Sequence, residues 1–172
     1  NWTQRTLSSS QTWNSVCWSS QLGLFCTVAF GAAVAATSPD GINWTNETLP
    51  SSSSWYSVCW SPELGIFCTV AYNSTAAATR NYQLSFNKSS ILYSGNWRSV
   101  CWSPQLGLFC AVVNNTTVVA TSQDGINWVI GILPSSATWN SVCWSPQLGI
   151  FCAVSGSTSG ATSPDGTNWT AR

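Results

Sequence analysis

The segment CWSPQLGLFC, residues 101–110, recurs as CWSSQLGLFC from Cys17, CWSPELGIFC from Cys59 and CWSPQLGIFC from Cys143, so the first cysteines stand 42 residues apart each time. A period of this size marks supersecondary units that bury their apolar faces only by stacking on one another. Each copy reads as a β-hairpin. Trp102 and Ser103 end one strand, Pro104 to Gly107 turn, and Leu108 and Phe109 begin the return. Proline presets the first corner of such a turn, and glycine supplies its left-handed exit. With Ser103 opposite Leu108, antiparallel register sets Cys101 opposite Cys110, within disulfide reach. Four bonds are expected, one inside each repeat: Cys17 with Cys26, Cys59 with Cys68, Cys101 with Cys110 and Cys143 with Cys152. The competing reading is eight reduced cysteines buried as small hydrophobes.

The rest of each unit continues in short strands. After the hairpin of the first unit come AVAATS, the turn Pro39-Asp40-Gly41, and INWTNETL. Four short strands with tight turns in about 42 residues make one antiparallel sheet, which is the content of a propeller blade. The units run 13–54, 55–96, 97–138 and 139–172, with 1–12 completing the last, in a single all-β, β-propeller-like domain spanning 1–172. Three aromatic columns repeat in register: Trp13, Trp55, Trp97 and Trp139; Trp18, Trp60, Trp102 and Trp144; and Trp2, Trp44, Trp128 and Trp169, with Phe86 standing in. Strict alternation puts Trp13 and Cys17 on one face and Val16 and Trp18 on the other. Both faces are then apolar, as in blades covered on both sides.

The stretches SPDGINW from Ser38, SQDGINW from Ser122 and SPDGTNW from Ser163 resemble the Asp-box, or BNR-like, repeats of sialidase-type β-propellers. In the second unit TRNYQLSF departs from the box, with Tyr82 at the aspartate position. The resemblance implies a turn between the third and fourth strands of a blade, with Asp40, Asp124 and Asp165 structural. An Asx-type turn assigns them the same role on chemistry alone.

Only 6% of residues are charged and the net charge is zero, where about a quarter is usual for soluble proteins. The basic residues Arg5, Arg80, Lys88, Arg98 and Arg172 are scattered, which excludes a phosphate-binding stripe and argues against nucleic acid. Asparagines offer another way to wet the surface. Sequons begin at Asn1, Asn43, Asn46, Asn73, Asn87, Asn114, Asn115 and Asn168, eight of the thirteen asparagines. Together with paired cysteines they point to N-glycans and a secreted, extracellular setting. No apolar run is long enough to span a membrane. The chain opens inside a repeat, so it reads as a mature or excised portion whose leader is not shown.

Catalysis is not expected. There is no histidine, and the acids are Asp40, Glu47, Glu63, Asp124 and Asp165, three of them committed to turns. A glycosidase needs two carboxylates flanking one bond. No metal or cofactor site is expected either. Two functions are left open: a structural glycoprotein module that self-associates as a homo-oligomer or fibril, and a multivalent, lectin-like propeller with Trp44 and Trp128 as candidate sugar contacts. NWTQR at residues 1–5 and NWTAR at 168–172 repeat the same phase, which suggests a terminal strand passed between neighbouring chains.

Overall fold

The structure is a computed structural model that describes residues 1–81 and 85–172. Tyr82 therefore lies outside the described residues. The described chain is built of β-strands and contains no helix. The first sheet holds β1 (Thr12–Ser19), β2 (Leu24–Phe30), β3 (Ala32–Ser38), β4 (Thr45–Ser61), β5 (Ile66–Tyr72), β6 (Ser74–Asn81) and β7 (Phe86–Gly95) in that order. The second holds β8 (Trp97–Ser103), β9 (Leu108–Ser122), β10 (Val129–Ser145), β11 (Ile150–Ser155), β12 (Gly160–Ser163) and β13 (Thr170–Ala171), in the order β13-β12-β11-β10-β9-β8. All pairings are antiparallel.

Two sheets of seven and six strands replace the four separate four-stranded sheets expected from the repeat. The reason lies at the unit boundaries, where extended residues such as Ser51–Ser54 carry no turn that would end a strand. β4 pairs with β3 through Thr45–Thr48 and then with β5 through Ser54–Ser61. β10 does the same between β9 and β11. β9 pairs with β8 through its first half and β10 through its second, turning at Asn115, whose φ of 61° matches Asn73 (52°) and Gly31 (73°) one and two periods earlier. Asparagine tolerates this left-handed conformation better than most residues.

The hairpin register sets Cys101 opposite Cys110 and Ser103 opposite Leu108, and the other three copies follow suit. In each turn the serine that ends the first strand accepts a bond from the third residue beyond it, as Ser103 Oγ does from the Leu106 N–H at 3.2 Å. Gly107 leaves the turn at φ 60°.

Strict alternation fails at one place, and the failure shapes the core. A bulge between Trp13 and Ser15 places Trp13 opposite Ala29 and Val16 opposite Thr27. Trp13 thus joins Val16 and Trp18 on one face, not Cys17 on the other. The same bulge recurs at Trp55/Ser57, Trp97/Ser99 and Trp139/Ser141. It is anchored by the indole N–H, which donates to the carbonyl four residues back: Trp55 to Ser51 at 3.1 Å, Trp97 to Tyr93 at 3.3 Å, Trp139 to Ser135 at 3.2 Å.

With that flip, the core resolves into three equivalent interfaces. Cys26, Val28, Ala35 and Leu49 cover Trp55, Val58 and Phe67. Cys68, Val70, Ala77 and Ile91 cover Trp97, Val100 and Phe109. Cys110, Val112, Val119 and Leu133 cover Trp139, Val142 and Phe151. Each 42-residue unit presents a Trp/Val face to the unit before it and a Cys/Val face to the unit after it.

Polar bonds cross the same seams. Val58, Val100 and Val142 donate their backbone N–H to Ser15, Ser57 and Ser99 of the preceding unit at 3.1, 3.1 and 3.2 Å. Trp97 is fully buried, whereas Trp13 is partly open. We expect Trp97→Ala to destabilise the fold by roughly 3–5 kcal/mol and Trp13→Ala by much less. Chemical denaturation of the two variants checks the difference.

Candidate functional site: the aspartate turns and the clefts beside them

The turns at Ser38, Ser122 and Ser163 are built alike. Ser122 Oγ accepts from the Gly125 N–H at 2.9 Å and donates to Asp124 Oδ1 at 3.0 Å. Asp124 Oδ1 also accepts from the N–H groups of Ile126 and Asn127 at 2.8 and 2.7 Å, and Oδ2 accepts from the Asn127 side-chain amide at 2.7 Å. Asp40 and Asp165 make the same set. Glycine at the fourth position is required by φ of 71–76°. At Gly125 a Cβ would also lie 2.7 Å from Thr79 Cγ2 of the preceding unit.

These donors hold the carboxylates charged. The Asn43 N–H leads in pulling Asp40 below the usual carboxylate range. Burial works against the charge on Asp124, but the N–H groups of Asn127 and Ile126 outweigh it and leave the group at about 2. The Asn168 N–H and side-chain amide hold Asp165 at about 2. An acid whose oxygens accept from four local donors braces its own turn.

The tryptophan that closes each turn folds back on it. The indole N–H groups of Trp44, Trp128 and Trp169 donate to the carbonyls of Gly41, Gly125 and Gly166 at 3.2, 3.1 and 3.0 Å. Of the two candidate sugar contacts, Trp128 is only 6% exposed and packs in the core against Phe109. Trp44 is half-buried and lines a cleft of about 370 Å³ with Arg5, Leu7, Trp13 and Val16. A second cleft, of about 720 Å³, runs between the turns at Asp124 and Asp165.

The sequon asparagines lie at the surface, seven exposed and Asn114 half-buried. Asn43 and Asn168 clamp their aspartates, and Asn46 accepts from Ser8 and Ser9. The eight cysteines are free thiols in this structure. Cys26, Cys68 and Cys110 are fully buried, and Cys143 alone is exposed. Burial pushes the Cys26 thiol up to about 12, with Arg80 nearby opposing it. Among the described residues no group of three or more His, Cys, Asp or Glu is arranged to hold a metal. No helix is long and apolar enough to cross a membrane.

Two polar arrangements were not legible from spacing. Arg80 takes the place of the turn serine in the second unit, lies buried, and pairs with Glu47 of the first unit at 3.0 Å. Arg98 stacks over the rings of Tyr56 and Tyr72, each 4.8 Å from the guanidinium. The signal available for Arg80 was its departure from the serine found in the other three units. For Ser15, Ser57 and Ser99 it was an invariant serine in the 42-residue phase.

No protein-family model matches the chain, and none of the curated proteins matches it. Among solved structures it is similar to a streptogramin B lyase, at 8% identity and a TM-score of 0.82 over 95% of this chain and 55% of that one. It is also similar to a nidogen/laminin complex, at 10% identity and 0.75 over 94% and 64%. YCF48 bound to D1 peptide matches at 18% identity and 0.67 over 98% and 55%. The fold is a β-propeller-type repeat. The chain spans a little over half the length of the lyase and of YCF48, and at these identities the likeness extends to the fold alone.

The aspartate turns make the propeller sensitive to acid. Unfolded, these carboxyls titrate near 3.8; folded, Asp124 and Asp165 titrate near 2, so the unfolded chain takes up protons first as pH falls. Their stabilisation is complete above about pH 4 and is lost between there and pH 2. Thermal melts across this window should show the decline. Asp124→Asn sets an amide against the Asn127 amide, and should lower the melting temperature at pH 7 by roughly 2–4 °C for a loss of ~1 kcal/mol.

Proposed function

We propose that this chain is a non-enzymatic, extracellular structural glycoprotein module: four four-stranded blades of the Asp-box type, N-glycosylated at surface asparagines and self-associating. The observation that carries the reading is the equivalence of the three interfaces, each with the same Trp/Val face on the same Cys/Val face. A catalytic centre requires groups that differ from one another and converge. Here the repeated residues are spent on packing and on bracing turns. The strand pairings support a four-blade reading, because β4 and β10 each change partner part-way and so divide between consecutive sheets, while β9 folds at Asn115 into two strands of one sheet.

Surface chemistry supports the glycoprotein reading. With 6% charged residues and, among the described residues, fourteen large hydrophobic side chains exposed, including Leu92, Ile132 and Leu148, the bare polypeptide is poorly wetted. Glycans on exposed sequons supply that wetting. The cysteine register supports one bond per blade, since directly opposed residues in an antiparallel pair sit about 4.5–5.5 Å apart at Cα, within the range a disulfide spans. Oxidation in a secretory compartment would convert the thiols to those bonds. A lectin-like role is favoured only by the open cleft beside Trp44.

Enzymatic deglycosylation of the chain Asn1–Arg172, expressed behind a secretion leader, should bring its mass down to that of the 18.5 kDa polypeptide. A secreted chain that already has that mass would overturn the glycoprotein reading. Native alkylation should leave all eight cysteines unlabelled and peptide mapping should link each one within its own repeat. If the cysteines are reduced, Cys143 alkylates first and the bonds are absent. A glycan array on which Trp44→Ala abolishes binding would support the lectin reading, and an array without specific binding would remove it.

A further inference from the structure

In the last strand of the first two units, the four positions after the closing aromatic carry polar side chains: Thr45-Asn46-Glu47-Thr48 in the first and Asn87-Lys88-Ser89-Ser90 in the second. In the third unit the same positions read Val129-Ile130-Gly131-Ile132. Val129, Ile130 and Ile132 are 69, 40 and 72% exposed, although their unit is packed between the second and the fourth. Their backbone pairs with β9 on one edge, from Val129 opposite Thr121 to Ile132 opposite Val118. β11 pairs with β10 only from Trp139 onward, so among the described residues no strand occupies the other edge.

A bare apolar edge invites the addition of another strand, and proteins blunt such edges with charge, lysine above all. Lys88 stands in the position of Ile130, and Glu47 in that of Gly131. Sugar acceptors are missing from the same place. The other units carry sequons at the start of this strand, at Asn43, Asn46, Asn87 and Asn168, whereas Val129 takes the hydroxyl position two residues after Asn127. The third unit thus lacks both devices that shield the equivalent edge elsewhere, and an edge stripped of charge and sugar is suited to contact with protein.

We propose that a second copy of this chain adds its own edge at residues 129–132 to this one, antiparallel, joining two sheets across a twofold axis. This names the surface for the self-association above and rests on that reading. The second copy supplies what the edge calls for: free backbone groups, apolar side chains and no charge. A twofold axis normal to the sheet keeps every side chain on its own face, so opposed residues differ by an even number. Register centred on Gly131 sets Ile130 of each copy opposite Ile132 of the other, and the isoleucines cover one another. The contact is isologous and closes at two copies.

Sedimentation equilibrium and hydrogen exchange on the chain Asn1–Arg172, expressed behind a secretion leader, test this. The wild type should sediment as a dimer, and the amides of residues 129–132 should exchange more slowly as protein concentration rises. Ile130→Lys and Ile132→Thr give the third unit the residue types that the second and the first carry at those positions. Each should weaken association at least tenfold while leaving the melting temperature of the monomer unchanged. A dimer indifferent to both variants, or one whose exchange at 129–132 does not change with concentration, overturns this edge and leaves self-association standing on another surface. A wild type that stays monomeric at every concentration overturns the self-association reading together with the proposal and assigns the edge to a different partner.

Discussion

The structure depends on one packing contact made three times: a tryptophan and a valine from one unit pressed onto a cysteine, a valine and a small or branched residue of the unit before it. Burying a valine side chain contributes about 1.5–3 kcal/mol, and a buried indole presents a larger apolar surface. No single unit can realise this contact, since its Trp/Val face and its Cys/Val face point in opposite directions. Stability is therefore a sum over neighbouring units and not a property of any one sheet. This also explains how the chain manages with so few charges. Most of its information is spent on two apolar faces, and the loops carry serine, threonine and asparagine.

The polar elements serve that stack. Each aspartate turn is closed by its own N–H groups, its serine and its asparagine, so it needs nothing from outside to hold its shape. It then leans on the unit before it: the Gly125 carbonyl accepts from Ser89 Oγ at 2.9 Å, and Gly125 itself passes close to Thr79. Where the box is lost, in the second unit, Arg80 fills the serine position and spans the seam to Glu47, which is also held by Thr37 Oγ1 at 2.9 Å. A buried guanidinium is costly unless paired, so this ion pair locks the first and second units in one relative position more than it adds net stability.

What the sequence made legible is what depends on local spacing. The hairpin with Ser103 opposite Leu108 and the left-handed glycines follow from turn chemistry within ten residues, and the 42-residue phase from the recurrence of that hairpin. The face on which Trp13 lies does not, because a single-residue bulge inverts the parity of everything before it, and no residue type at position 14 announces a bulge. The continuity of the sheets across unit boundaries was not legible for a related reason. β4 and β10 cross the unit boundary as continuous strands, and extended Ser-rich segments carry no signal to stop. Cysteine opposition was legible from register. Oxidation state is a property of the compartment and is not written in either the spacing or the fold.

The regularity of the repeat also limits what a site here can be. Binding or catalytic specificity comes from a few groups that break symmetry and face one cavity, and the described residues that break the repeat with a charge include Arg80 and Arg98. Arg98 is held over Tyr56 and Tyr72, and the Tyr56 hydroxyl accepts from it, so its charge is absorbed inside the stack. Arg80 is buried against Glu47. Both charged departures from the repeat thus tie a unit to the one before it, Arg80 to Glu47 and Arg98 to Tyr56 and Tyr72.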